Sequence, residues 1–125
     1  MMADRPPLAM IVAGADAARL HAALTLCRCE IALGGTAALF LQGAAVALLR
    51  PPIAAPQDPA WRAAGEPTLA ALVAEALADG VAISLCQSGL ALAGLTADDL
   101  CAGLHMTGPL AFLAAADARV RLLIV

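Results

Sequence analysis

Short apolar runs closed by glycine or polar residues recur along this chain, separated by longer stretches whose apolar residues fall at helical spacing. Leu8–Ala13, ended by Gly14, reads as a first strand. Asp16 is placed as the N-cap of a helix to about Leu33, with Leu20, Leu24, Cys27 and Ile31 on one face and Gly34-Gly35 beyond its end. Thr36–Leu41 predicts a second strand, closed by Gln42-Gly43, and Ala44–Leu49 a short helical turn. Thr68–Ala78 predicts an amphipathic helix with Leu69, Leu72, Val73 and Leu77 inward and Glu75 outward. Gly80 then leads into a third strand, Val81–Leu85, rich enough in apolar and β-branched residues for the interior of a parallel sheet. Thr96 to Asp99 marks a helix start, running on to Gly103, because carboxylates suit the positive end of a helix. Leu104–Thr107 is a short fourth strand stopped by Gly108-Pro109, Leu110–Ala116 a last helix and Val120–Val125 a last strand. Strand and helix alternate throughout, which predicts an α/β fold with a parallel sheet covered on both faces. At 125 residues the chain is expected to form one domain, residues 1–125.

One segment breaks the rhythm. Arg50–Pro67 holds five of the eight prolines and the one Trp, Trp61. It reads as a surface excursion able to cover a site, with Trp61 serving as a lid residue or as a packing anchor.

Composition narrows the chemistry mainly by what is missing. The chain has no Lys, no Asn and no Tyr, which excludes a Walker-type phosphate loop, a Schiff-base mechanism and a Cys-His-Asn triad. Net charge is −3 and the seven Arg are scattered singly, so no basic face offers itself to nucleic acid. No GxGxxG follows the first strand, so nothing argues for a dinucleotide, and neither a cofactor nor a metal is expected.

The hydrophobic share, 62%, is high enough to raise a membrane protein as an alternative. Ile31–Leu49 is nineteen residues without a charge and Val81–Ala97 is seventeen. Polar and turn residues sit mid-run, however: Gly34, Gly35, Thr36, Gln42 and Gly43 in the first, Ser84, Gln87 and Ser88 in the second. Those positions suit strand-to-loop junctions and not a lipid-spanning helix. Leu8–Ala15 resembles a signal-peptide core, but Asp4 offsets Arg5 and two prolines interrupt its approach. A cytoplasmic protein with no membrane association is expected, and the four Cys need form no disulfide framework. So apolar a chain of this size is also expected to associate with copies of itself.

The residue that looks most like a chemical site is Cys86. It follows Gly80-Val81-Ala82-Ile83-Ser84-Leu85 and precedes Gln87-Ser88-Gly89, so it stands where a buried strand ends and a polar turn begins. Ligands and reactive groups of open α/β sheets gather outside such strand ends. A helix starting at Ser88 or Gly89 would turn unpaired N–H groups toward the sulfur and favour the thiolate. The competing reading is a small buried hydrophobe. Gly14 and Gln42-Gly43 emerge at the same sheet edge and, with Gln87 and Ser88, outline a shallow pocket of backbone donors.

Other candidates carry less. Cys27-Arg28-Cys29 lies on the first helix, where residues two apart point roughly 200° away from each other and cannot share a metal or a disulfide. Cys101, expected within the Asp98–Gly103 helix, is a core residue or, if the loop folds back, a resolving thiol for Cys86. His21 and His105 have no spacing that assigns either as a base, and the adjacent Asp98-Asp99 pair suits a helix start better than a metal.

The order of these pieces resembles the DsrE/DsrF-like family of small α/β proteins, which includes subunits of bacterial sulfur-relay complexes. The matching features are Met10–Gly14 through Leu33-Gly34-Gly35, then Gly80–Gly89 around Cys86, then Gly94-Leu95, Asp99-Leu100, Gly103 and Gly108–Leu113. The resemblance implies a three-layer α/β/α fold with a five-stranded parallel sheet in the order 4-3-2-1-5, and oligomers, often trimers or hexamers. It also implies that Cys86 carries sulfane sulfur as a persulfide and exchanges it with a protein thiol. The implied order brings Gly108 near Cys86, where a missing side chain leaves room for a donor or acceptor. A noncatalytic interaction module of the same fold is the alternative. Cys27 and Cys29 match nothing in the family pattern.

Overall fold

The computed structural model describes residues 4–125. Its five strands, β1 (Leu8–Val12), β2 (Ala37–Leu41), β3 (Ala82–Cys86), β4 (His105–Thr107) and β5 (Arg121–Ile124), form one sheet in the order β4-β3-β2-β1-β5. Every pairing is parallel, so the carboxyl ends of all five strands open on one edge. The helices α1 (Ala17–Ala32), α2 (Asp58–Ala63), α3 (Leu69–Asp79), α4 (Gln87–Ala93) and α5 (Pro109–Ala115) complete a three-layer α/β/α arrangement.

Helices α1 and α3 form the thicker outer layer. Asp16 caps α1 by accepting from the N–H of Ala18 and Arg19, and Thr68 caps α3 by accepting from Ala71 N–H. Leu20, Leu24 and Cys27 from α1 and Leu69, Leu72 and Val73 from α3 are buried against Met10, Leu39 and Leu85 of the sheet. Arg28 ties the two helices together at the surface, its Nε donating to Asp79 at 2.6 Å and its Nη1 to Glu75 at 2.7 Å. The arginine of the Cys-Arg-Cys motif thus has a structural partner, while Cys27 is buried and Cys29 exposed on opposite sides of α1.

The opposite face, as expected, also carries helix, though it is less completely covered. Helix α5 lies across it with Phe112 stacked on Phe40, ring centroids 4.9 Å apart. Beside it runs an apolar groove of about 290 Å³. Its floor is formed by Ala9, Ala38 and Ala82, which are register partners across β1, β2 and β3. All four residues of β5 are exposed.

Two other expectations are corrected. The Arg50–Pro67 excursion is not devoid of structure but contains α2, seated by Asp58, whose carboxylate accepts from Ala55 and Leu69 N–H at 2.9 Å each. Pro at the second helical position is compatible with a helix start, where no intrahelical N–H bond is lost. The Asp98–Gly103 helix is a single 3₁₀ turn, Ala97–Asp99, closed by a capping box between Thr96 and Asp99. Leu100 is extended and Gly103 has φ +96°, so the chain leaves the helix before Cys101, which is exposed and not in the core.

The two long uncharged runs are each divided. Ile31–Leu49 passes through the end of α1, β2 and a 3₁₀ segment at Gly43–Leu49, and Val81–Ala97 through β3 and α4. Among the described residues no helix is long and apolar enough to cross a membrane.

Candidate functional site

The site is built where β3 ends. Cys86 is at once the last residue of β3 and the N-cap of α4, so its sulfur faces the first turn of a helix with no intervening loop. Beside it β2 ends at Leu41, and the chain bends through Gln42 and Gly43 into the 3₁₀ segment Gly43–Leu49. Gly43 has φ +54°, a conformation that side-chain-bearing residues rarely adopt. This bend turns the Gly43 N–H toward the Cys86 sulfur.

One hydroxyl is in contact with the thiol, and three backbone amides lie near enough to favour its anion. Ser88 Oγ lies 3.3 Å from Cys86 Sγ, and the N–H groups of Gly43, Gly89 and Ser88 act on it as well. Burial pushes the thiol up, since a charge is costly away from water. The Ser88 hydroxyl and the three N–H groups pull it down by more, leaving the Cys86 thiol below its ordinary value. Cys27 shows the opposite balance. Burial in the core, reinforced by the negative charge of Glu30, pushes it up to about 11.

Cys86 is nevertheless only 1% exposed. Its cover is the contact between α4 and the 3₁₀ segment, where Gly89 packs on Gly43 and Val46. Arg50, following the 3₁₀ segment, donates to the carbonyl of Ala93 at the end of α4 and joins the far ends of the same two elements. A shallow apolar depression of about 270 Å³, bordered by Ala44, Ala47, Gly89 and Leu92, opens over this seam.

Of the other residues singled out from the sequence, Gln42 and Gly43 stand at the adjacent strand end. Gln87 and Ser88 begin α4, with Gln87 exposed. Gly14 follows β1 at the same sheet edge, and Gly108 follows Thr107, the register partner of Cys86. Both have open space where a side chain would stand, so neither forms a wall around the thiol. Gly89 and Val46 contribute although neither was marked as a site residue. The signal for Gly89 is a glycine in the first turn of a helix, where no positive φ calls for one and close approach of another backbone does.

The histidines take no part. His21 is buried, stacks on Trp61 with ring centroids 3.9 Å apart and donates from Nε2 to the carbonyl of Pro67 at 3.0 Å. Trp61 is thereby an anchor that fixes the proline-rich excursion to α1. His105 is exposed on β4, in register with Ser84 and not with Cys86. Among the described residues no group of three or more His, Cys, Asp or Glu is placed to hold a metal ion.

No family model matches the chain, and no curated protein matches it. Among solved structures it is similar to MTH1491 from Methanobacterium thermoautotrophicum, a protein of unknown function. The two share 15% identity and superpose with a TM-score of 0.71, covering 95% of this chain and 98% of that one. That likeness establishes the small three-layer α/β fold.

Proposed function

We propose that this protein is a sulfur carrier that accepts sulfane sulfur on Cys86 and passes it to the thiol of a partner protein. The observation that carries the reading is the placement of the Ser88 hydroxyl and the Gly43, Ser88 and Gly89 N–H groups near one sulfur at a strand end. In the transfer, the Cys86 thiolate attacks the outer sulfur of a donor persulfide, the donor's S–S bond breaks, and the donor leaves as a thiolate. The same N–H groups then hold the negative charge of the new persulfide. The resemblance to the DsrE/DsrF-like family supports sulfur as the cargo, together with a cytoplasmic setting and a homo-oligomeric assembly. The reading requires the α4 seam to part, and Gly43 and Gly94, both at positive φ, stand where the 3₁₀ segment begins and α4 ends.

The burial of Cys86 favours a second reading, in which the thiol is a packing group at the start of α4 in a noncatalytic interaction module. One experiment separates the two. The protein is exposed to a low-molecular-weight persulfide, and its intact mass and peptide map are measured. The carrier reading expects one added sulfur on the Cys86 peptide, lost on addition of a thiol. Sulfur on Cys29 or Cys101 instead, or undiminished uptake by Cys86→Ser, overturns it.

A further inference from the structure

β5 leaves one edge of the sheet unpaired. Arg121 and Val125 donate their N–H groups to Pro7 and Ile11, so by the alternation of a strand Leu122 and Ile124 turn their N–H and C=O groups away from the sheet. An uncovered edge of this kind is ordinarily blunted by Lys, Pro or a bulge. The chain has no Lys, and β5 reads Arg-Leu-Leu-Ile. The other edge strand, β4, is three residues long and runs directly into Gly108-Pro109.

The side chains mark the same place. Of eight large hydrophobic residues exposed among the described residues, five lie here: Leu122, Leu123 and Ile124 on β5, Leu26 on α1 and Leu33 at the C-cap of α1. Leu26 and Leu33 fall four before and three after Glu30, hence on its flank of the helix. Glu30 reaches β5 through Arg121, its Oε2 accepting from Nη2 at 2.8 Å. Leu123, the register partner of buried Met10, stands on the α1 side of the strand, while Leu122 and Ile124 stand on the α5 side.

We infer that two copies associate through antiparallel β5–β5 pairing about a twofold axis at Leu123, extending the sheet across both. Leu122 of each copy then exchanges both main-chain hydrogen bonds with Ile124 of the other. A stable pair buries about 800 Å² on each side, more than four residues of strand supply. An axis normal to the sheet keeps α1 of both copies on one face, which brings the flank carrying Leu26 and Leu33 to the seam in each copy and enlarges the contact. A foreign strand would leave those two leucines uncovered. The charge nearest the axis is Arg121, two residues away. Its counterpart is about four residues distant along the paired strands, roughly 14 Å, which exceeds the Debye length of about 8 Å at physiological salt.

Light scattering at tens of micromolar tests the pairing. The wild-type chain is expected at an even-numbered mass, twice that of the chain or a multiple of it. Leu123→Glu is expected to halve it, and so is Ile124→Pro, which removes an outward N–H that β1 does not use. Mixing Leu123→Glu with Leu123→Arg is expected to restore the larger mass, because opposite charges then face each other across the axis. Circular dichroism confirms that each variant is folded. A monomeric or odd-numbered wild type overturns the inference, as does an assembly unchanged in folded Leu123→Glu.

Discussion

Gly89 lies so close to Gly43 that a methyl group on its α-carbon would stand 2.5 Å from the Gly43 carbonyl oxygen and 2.6 Å from Cγ2 of Val46. The contact holds α4 and the 3₁₀ segment together over Cys86 and aims the Gly43 N–H at the sulfur. Gly89→Ala is expected to force the segment outward, at about 1–3 kcal/mol by the usual cost of overpacking. It also removes part of what stabilises the thiolate, so Cys86 is expected to titrate higher. Denaturant unfolding and pH-dependent alkylation measure the two effects. Gly14→Ala and Gly108→Ala, at positions with open space and no positive φ, are expected to leave both unchanged.

Ser88→Ala separates the hydroxyl from the amides. The three N–H groups remain in place while the contact at 3.3 Å is lost. The expected result is a Cys86 thiol that titrates higher than in the wild type and labels more slowly at neutral pH, with stability within about 1 kcal/mol of wild type because Ser88 is exposed. Labelling of the Cys86 peptide unaffected by the change would deny the hydroxyl any role in stabilising the anion.

Glu30 carries an acid-sensitive clamp. Its carboxylate accepts from Arg5 at 2.6 and 2.8 Å and from Arg121 at 2.8 Å, and these contacts hold its pKa at about 2, the Arg5 hydrogen bond contributing most. A carboxyl depressed on folding adds stability that is complete above its unfolded pKa and is lost as pH falls toward the folded one. Stability is therefore expected to decline between about pH 4.5 and 2. Glu30→Gln is expected to flatten that decline, as read from urea midpoints across the acid range.

Cys27 acts at the alkaline end. Its thiol is raised on folding to about 11, so above pH 9 the unfolded chain releases a proton that the folded chain retains. Stability is expected to fall between about pH 9 and 11 by on the order of 2 kcal/mol. Cys27→Ala, compared at pH 8 and pH 11, should lack that slope.

Trp61→Ala is expected to release the excursion from α1, because Trp61 supplies the ring on which His21 stacks. A cost of about 1–3 kcal/mol is expected, below that of a fully buried aromatic. Limited proteolysis should then cut within residues 50–67 sooner than in the wild type.

Strand-length apolar runs punctuated by Gly14, Gly35, Gly80 and Gly108 made the alternation of elements legible, and the strand-end position of Cys86 followed from it. The sheet order came from resemblance, since periodicity does not say which strands are neighbours. Helix α2 was hidden because Pro59 argues against a helix interior but not against a first turn. Cys101 was misplaced because Thr96 and Asp99 signal a helix start equally well for one turn or for several. At the site, Ser88 and Gly43 were visible as polar and turn residues near the thiol. The cover over the thiol and the role of Gly89 depend on how β2 and β3 exit the sheet side by side, which no local pattern encodes.

The place of β5 beside β1 has a kinetic side. Leu8 pairs with Arg121, far away in sequence, so β1 gains its second neighbour only when β5 docks. Pairings between residues so distant in sequence form slowly. Until β5 arrives, the apolar run Leu8–Val12 is itself an unprotected margin on which unfinished chains can stick to one another. The rate at which the molecule matures, and its yield on refolding at high concentration, should therefore be governed by the docking of the four residues of β5.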